Sequence, residues 1–436
     1  MELLLHQWED WPELYRNTDK TEVTEIVIID SQINYRGKLD TYFLMRDGSA
    51  DLRLYVIIEG GKVTKGRDEM EIARKFYIMT ASIGTGHSQA ARAIAEAIQR
   101  THPADSVQVL DFVSSNLFSI DHIIKDGYLK MIDVFPEMYD HLYSDSQMSR
   151  FGQFSQKMLS LSFKRRMKNL IMATKPDAMI FTHPFPAGAA DLLKAEGSIS
   201  IPLLGVITDF DIHQLWIDRY LDGYCVATPD LKDLLETYDI DGSRIHVTGI
   251  PVRRAFYEKA KERESFEKGT VLVMGGGLGL GNVVDNIARL DGVEEISKFI
   301  VVTGKNISLY EKVAALAEKL KHPVELHSYT NKVAEMMARS EILVTKPGAL
   351  TCTEAMVMHL PMVLVNTLPG QERANAMHMK NLGCAEWVKR GELADSVRAI
   401  LRDPLVRKKM ADACSVAPSG SADQVAKVLY DLARKQ

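Results

Sequence analysis

Residues 345–375 read TKPGALTCTEAMVMHLPMVLVNTLPGQERAN, and this stretch decides the fold. EILVT, from Glu341 to Thr345, has the apolar content of a short buried strand. Lys346-Pro347-Gly348 then turns the chain, and a helix is predicted to start near Thr351. A helix start carries unpaired N–H groups and the positive end of the dipole, so it favours anionic oxygens, and Gly348 lets the backbone approach a ligand closely. A diphosphate fits such a place. Glu354 is predicted within the first turn, where a carboxylate suits a pair of vicinal ribose hydroxyls. Thr351-Cys352-Thr353-Glu354 also has the capping-box spacing, in which Glu354 closes the helix start. PMVLVN, from Pro361 to Asn366, is a second buried strand. Pro369-Gly370-Gln371-Glu372 follows it as a polar turn at the carboxyl end, the edge at which open α/β sheets bind ligands. Gln371 and Glu372 bring amide and carboxylate groups suited to sugar hydroxyls.

Outward from this unit, strand and helix alternate. The strand GTVLVM leads into Gly275-Gly276-Gly277-Leu278-Gly279-Leu280-Gly281, and the series continues through KFIVVTG, VELHSYT, EILVT and PMVLVN. An earlier series runs from KFYIMT at Lys75 through a loop (Ala81 to Gly86) and an alanine-rich helix (Ser88 to Arg100) to SVQVLDF, DAMIFTH and PLLGVITD. Such alternation implies parallel, doubly wound sheets. The expected fold class is α/β, with two Rossmann-like doubly wound domains facing a cleft, residues 75–250 and 251–436. The segment Gly249 to Lys268, which contains Pro251 and many charged residues, separates them. Residues 1–74 alternate short β-rich runs with turns such as Arg46-Asp47-Gly48, which predicts a small antiparallel sheet of unknown role.

Three further motifs carry chemistry. Ser82-Ile83-Gly84-Thr85-Gly86-His87 joins the first strand of the earlier series to its helix, and its two glycines permit a tight turn with open space over the helix start. A dinucleotide site is the rival explanation, but the spacing is not G-x-G-x-x-G and His87 stands where a pyrophosphate should sit. Gly275, Gly276 and Gly277 offer backbone that cradles phosphates. Arg253, in Gly249-Ile250-Pro251-Val252-Arg253, lies at the junction of the halves, either on an anion or as a solvated linker residue. No D-x-D-type carboxylate pair stands in a convincing loop, so no obligatory metal and no cofactor are expected.

The combination KPG…T-x-x-E-A…LP…PGQE-x-x-N resembles the monogalactosyldiacylglycerol synthases and processive diacylglycerol glucosyltransferases of glycosyltransferase family 28, over about residues 75–436. GALT (Gly348 to Thr351) departs from the GG-x-T of that branch and is closer to the related enzyme that adds N-acetylglucosamine to the peptidoglycan lipid precursor. PGQE and Asn375 favour the diacylglycerol branch. The resemblance implies the GT-B architecture, with SADQVAKVLYDLARK as its C-terminal crossover helix. It implies a UDP-sugar donor, a substrate rather than a cofactor, held by Gly275, Gly276, Gly277, Arg253, Lys346, Gly348, Thr351, Glu354, Gly370, Gln371, Glu372 and Asn375. Arg253 matches a basic position on the donor diphosphate. On the acceptor side it implies Gly84, Gly86, His87, His213 and Trp216, the last two from a segment in which Thr208, Asp209, His213 and Trp216 match.

His87 matches the residue proposed as catalytic base in that family. The acceptor alcohol must lose a proton as it attacks the anomeric carbon, and neutral imidazole suits this near pH 7. Asp209 ends an apolar strand beside the same cleft and competes for the role; it equally suits orienting His87 or holding the start of the next helix. The implied activity is inverting transfer of a hexose from a UDP-sugar to diacylglycerol in glycolipid synthesis. Two alternatives stand beside it. One is an N-acetylglucosaminyltransferase acting on a polyprenyl-linked acceptor, supported by GALT, and the other is a non-catalytic UDP-sugar-binding protein, suggested by the N-terminal appendage.

The composition bounds these readings. The 436 residues suffice for two or three domains, and 46% hydrophobic with 25% charged residues is the content of an ordinary globular protein. No apolar run reaches bilayer length, and MELLLHQWEDWPELYR lacks the basic start of a secretory signal, so a cytoplasmic protein is expected. Cys225, Cys352, Cys384 and Cys414 are scattered without a C-x-x-C pair, which argues against a zinc site or a disulfide framework. A formal net charge of -5 gives no reason to expect nucleic acid. Between Phe112 and Leu170, apolar and aromatic residues stand beside Lys164, Arg165, Arg166 and Lys168. Such a mixture suits an anionic membrane surface, as a lipid acceptor requires, or else a solvated basic helix face. The expected place is peripheral, on the inner face of the cell membrane.

Overall fold

The computed structural model describes residues 23–33, 39–47, 52–58, 62–64, 73–81, 85–112, 163–263, 266–277, 279, 281–367 and 370–434. The chain forms two compact units, Met1–Ala73 and Arg74–Gln436. In the first, β1 (Val23–Ile33), β2 (Leu39–Asp47), β3 (Leu52–Ile58) and β4 (Lys62–Thr64) make one antiparallel sheet in that order.

The second unit holds two six-stranded parallel sheets. In its first half, β5 (Lys75–Thr80) leads to α1 (Gly86–Thr101) and β6 (Ser106–Asp111). A helix, α2 (residues 163–174), precedes β7 (Ala178–Phe181), β8 (Leu203–Val206), β9 (Gly223–Val226) and β10 (Ile245–Val247). The strand order is β10-β9-β8-β7-β5-β6. α1 lies on this sheet through Ala90, Ala91, Ile94, Ala97 and Ile98, small and apolar at helical spacing. The second half contains β11 (Thr270–Met274), β12 (Lys298–Val302), β13 (Val324–His327), β14 (Ile342–Thr345), β15 (Met362–Leu364) and β16 (Ala385–Trp387). Its order is β13-β12-β11-β14-β15-β16, which is the doubly wound order of a dinucleotide-binding fold.

Each sheet has one place where the strand order reverses, between β5 and β7 in the first half and between β11 and β14 in the second. Crevices outside the carboxyl ends of the strands open at such switch points. The segments that follow these four strands contain His87 at the start of α1, Thr182-His183, the Gly275–Gly281 run and Lys346-Pro347-Gly348.

Behind β14 runs α3 (Ala349–Val357), behind β15 runs α4 (Gln371–Leu382), and the chain closes with α5 (Ser421–Ala433). α3 starts two residues earlier than the sequence suggested, with Gly348 at its N-cap. Glu354 therefore falls in the second turn, and the capping box does not form. α5 returns to the first half: Val425 and Leu429 join a core with Ile94 and Ile98, and Tyr430 packs edge-on against Phe76 at 5.3 Å. The outgoing and returning segments lie side by side, with Ser421 Oγ donating to the Ile250 carbonyl at 2.8 Å. Gly249 has φ +77, and a Cβ there would stand 2.7 Å from Pro418 Cγ, so both backbone and space require glycine.

The four cysteines are free and buried. Among the described residues no helix is long and apolar enough to cross a membrane. Gly84, Pro369 and residues 113–162 of the segment singled out for membrane contact lie outside the described residues.

Candidate active site

A cavity of about 350 Å³ lies between the carboxyl edges of the two sheets. The first half contributes Gly86 and His87 from the start of α1, with Thr208 and Asp209 beyond β8. The second contributes Gly276 and Gly277 beyond β11, Lys346 and Gly348 beyond β14, Thr351 and Glu354 from α3, and Gln371, Glu372 and Asn375 from α4. Arg253, at the N-cap of the helix Arg254–Ala260, reaches in from the junction.

His87 is held in one tautomer. Its Nδ1 lies 2.8 Å from the Thr182 carbonyl oxygen and 2.8 Å from Thr208 Oγ1. A carbonyl only accepts, so Nδ1 carries the proton and the lone pair is on Nε2. Burial lowers the pKa of His87 to about 4, against the opposite pull of the Thr182 carbonyl, and the ring is neutral at pH 7. Asp209 is not a partner of Nδ1, so it does not orient His87 through that nitrogen.

Asp209 faces the second half instead. Its Oδ1 lies 3.5 Å from Asn375 Nδ2. Burial raises its pKa to about 7; the Asn375 amide opposes this, and the nearby Asp211 and Glu372 carboxylates add to it. Asn375 has 1% exposure and its amide is committed, donating to the Pro347 carbonyl at 3.2 Å and accepting from the Phe210 N–H at 3.1 Å. It thus ties the Asp209 loop to the KPG turn.

Charged groups of the second half and of the junction line the rest of the cavity. Glu354 is 7% exposed, and burial lifts its pKa to about 7 against the pull of the Arg253 charge. Arg253 packs its guanidinium over the Phe256 ring at 5.4 Å, and its Nε is buried without a hydrogen-bond acceptor among the described residues. It is therefore a cleft residue and not a solvated linker. Lys346 makes a partly buried ion pair with Glu372 and runs beneath the glycine loop, where a Cβ on Gly276 would meet its Cε at 3.2 Å. Among the described residues no three His, Cys, Asp or Glu side chains are grouped to hold a metal ion.

Four residues singled out in the sequence do not line the cavity. Trp216 is 2% exposed in the core of the first half, where its carbonyl accepts from Tyr224 Oη at 3.0 Å. His213 turns its Nδ1 onto the Leu215 N–H at 3.1 Å and caps the short turn Gln214–Trp216. Gly275 leads into the glycine loop, and Gly370, at φ +83, shapes the start of α4. Conversely, Gln89, Gly304 and Tyr329 do line the cavity. Gln89 Nε2 donates to Tyr329 Oη at 3.2 Å, joining the two halves across the cleft, and Lys305 lies over the Tyr329 ring at 5.4 Å. Gly304 and Tyr329 follow β12 and β13, and their signal in the sequence was only this place at the carboxyl edge.

The monogalactosyldiacylglycerol synthase family model matches residues 87–252, and that of the glycosyltransferase family 28 C-terminal domain matches residues 270–426. A processive diacylglycerol beta-glucosyltransferase from Bacillus cytotoxicus is 31% identical over 345 residues, covering 76% of this chain and 86% of that protein. The chain belongs to glycosyltransferase family 28. A second relative, the processive diacylglycerol beta-glucosyltransferase of Bacillus cereus strain B4264, is 30% identical over 355 residues, with 78% and 88% covered. Solved structures share the fold. MurG of Acinetobacter baumannii superposes with a TM-score of 0.53 at 19% identity, covering 82% of this chain and 99% of that one. A UDP-GlcNAc 2-epimerase from Neisseria meningitidis bound to UDP-GlcNAc gives 0.53 at 15% identity, covering 83% and 100%. Arg253 falls between the two family-model matches, at the junction of the halves.

Proposed function

We propose that the chain is an inverting transferase that moves a hexose from a UDP-sugar to the free hydroxyl of diacylglycerol at a membrane surface, in glycolipid synthesis. One observation carries this reading: a single cavity joins a neutral His87 of fixed tautomer to an anion-holding edge made of Gly276, Gly277, Arg253, Lys346 and the start of α3. The two relatives named diacylglycerol glucosyltransferases support the choice of acceptor.

In this reading His87 Nε2 takes the proton of the acceptor hydroxyl as its oxygen bonds to the anomeric carbon. The bond from that carbon to the diphosphate breaks on the opposite face, and UDP leaves with the electron pair. Arg253, Lys346 and the N–H groups at the start of α3 stabilise the departing charge. Donor binding also brings negative charge near His87, which raises its basicity. Glu354 accepts from the ribose hydroxyls, while Gln371 and Glu372 face the hexose. No metal or cofactor takes part in this proposal, so activity should survive an excess of EDTA; loss restored by a divalent cation would refute that element.

Contact with an anionic inner leaflet falls to a narrower set than the four cations of the sequence. On α2, Arg165 and Lys168 are exposed, and Met172, at the matching helical spacing, is 62% exposed. Lys164 instead pairs with Glu196, and Arg166 is half-buried. GALT favours a second reading, N-acetylglucosaminyl transfer to a polyprenyl-linked acceptor, since Ala349 and Leu350 line the cavity. The test is UDP release from a panel of UDP-sugars with and without diacylglycerol vesicles. Stimulation by diacylglycerol is expected; stimulation only by a polyprenyl-linked acceptor would transfer the proposal to the second reading, and NAD binding tighter than UDP would end both.

A further inference from the structure

We propose that His183 is a positioning residue for the catalytic base, its ring holding His87 so that Nδ1 stays on the Thr182 carbonyl and Nε2 stays free toward the acceptor. The inference rests on His87 acting as base in the reading above. His183 is 5% exposed and does not line the cavity, so it acts on the substrate only through its neighbour. Its ring meets that of His87 edge to face, with centroids 4.8 Å apart and planes at 73°. On its other side Phe185 packs against it at 4.8 Å and 61°, so His183 has little room to move.

The backbone ties the two imidazoles together. Thr182, the residue before His183, is fully buried; its N–H donates to the Met79 carbonyl at 3.0 Å and its own carbonyl receives His87 Nδ1–H. His183 Nδ1 accepts the Phe185 N–H at 3.3 Å, capping the helix Pro184–Ala195, which places the proton of His183 on Nε2. The peptide between Thr182 and His183 is thereby fixed from both ends. His183 thus stands as a wall beside the His87 ring. Without it, the ring of His87 is free to turn and exchange the Thr182 carbonyl for water, and the two neutral tautomers mix.

Two roles of His183 are separable by substitution. His183→Asn keeps a favoured capping acceptor and removes the ring. His183→Phe keeps an aromatic wall and removes the acceptor. The readout is the ¹⁵N chemical shifts of the His87 ring in the full-length protein labelled at histidine, assigned by their loss in His87→Gln, because these shifts report tautomer and charge without reference to turnover. The other titratable groups near His87 are His183, Asp209 and, across the cavity, Arg253, Lys346, Glu354 and Glu372. Titration curves of the variants are therefore compared with wild type rather than read alone.

In wild type, His87 should show protonated Nδ1 and unprotonated Nε2 and remain neutral at pH 5.5. In His183→Asn both tautomers should appear, with the protonation midpoint rising toward the ordinary value near 6.5. The same variant should lose about tenfold in kcat with donor KM unchanged, part of the 10²–10⁴-fold that a general base supplies. His183→Phe should keep the wild-type tautomer. An unchanged His87 spectrum in His183→Asn overturns the proposal, and so does the same mixing in His183→Phe, which would leave His183 as a helix cap alone. These outcomes are independent of whether diacylglycerol is the acceptor, so failure of the positioning role and failure of the transferase reading are distinguishable.

Discussion

Gly277→Ala should slow catalysis by wedging the cleft. A Cβ on Gly277 would collide with Cγ2 and Oγ1 of Thr85 on the opposite half and stand 2.7 Å from its Cβ. Carbon pairs rest at about 3.5–4.0 Å, so rotation of the threonine side chain leaves Cβ still about 1 Å too close. Gly277 is not in the left-handed region, so alanine is not excluded by its backbone and the steric contact acts alone. Overpacking of this kind costs about 1–3 kcal/mol. At 1.36 kcal/mol per tenfold that is about a 5- to 150-fold smaller closed population, and kcat should fall accordingly. Gly277 also belongs to the edge proposed to hold the diphosphate, so UDP affinity is measured in parallel, and only the loss of kcat that Thr85→Gly restores is assigned to the wedge. Thr85→Gly removes the opposing atoms. Because Thr85 makes no side-chain bond to the start of α1, that variant alone should stay within a few tenths of a kcal/mol of wild type. The assay is steady-state turnover of both single variants and of the double variant. Recovery in Thr85→Gly/Gly277→Ala is expected; wild-type kcat in Gly277→Ala, or no recovery in the double variant, would refute the close approach of the two halves.

Three other outcomes follow from the site. Glu354→Gln should weaken UDP binding by about 1.5–3 kcal/mol, the worth of a hydrogen bond to a charged group, measured by calorimetry. Because ribose hydroxyls favour the ionised carboxylate, whose pKa burial has raised to about 7, wild-type affinity should fall as pH drops below 7 and the glutamine variant should lose this dependence. If affinity is unchanged and only thermal stability falls, Glu354 is structural. His87→Ala should lower kcat by about 10²–10⁴-fold with UDP affinity retained, and an unchanged rate would transfer the base to Asp209. Arg165→Ser/Lys168→Ser should lose about 1 kcal/mol of vesicle affinity per cation, seen by co-sedimentation with anionic vesicles at low salt and much reduced at high salt. Unaltered binding would mean that α2 faces solvent.

The fold was legible where apolar runs were long. KFYIMT, TVLVM and EILVT each fill a central strand, whereas GYCV, IHV and AEW, the strands β9, β10 and β16, are three or four residues long and give no run to read. The second half's edge of the cavity was legible because glycines, Lys346 and the polar turn at Gln371 follow strands directly. What the sequence did not carry was the direction of side chains. Trp216 and His213 sit in a motif that matches the family, yet one indole fills the core and one imidazole caps its own backbone. Asn375 has the right place but an amide already bonded to protein. His183, four residues before Ala187 in an ordinary-looking THPFP, shows no periodicity or spacing that links it to His87; only the neighbouring of β5 and β7 brings the two rings together.

The most direct measurement of the central claim is the fate and configuration of the sugar. Purified protein is incubated with radiolabelled UDP-glucose or UDP-galactose and vesicles containing diacylglycerol, and the lipid phase is extracted and analysed by NMR. Label should enter the lipid phase as a β-linked hexosyl-diacylglycerol, the anomer opposite to that of the donor, with one UDP released for each sugar transferred. Label that remains in water while UDP is released, or a lipid product of α configuration, would contradict the account.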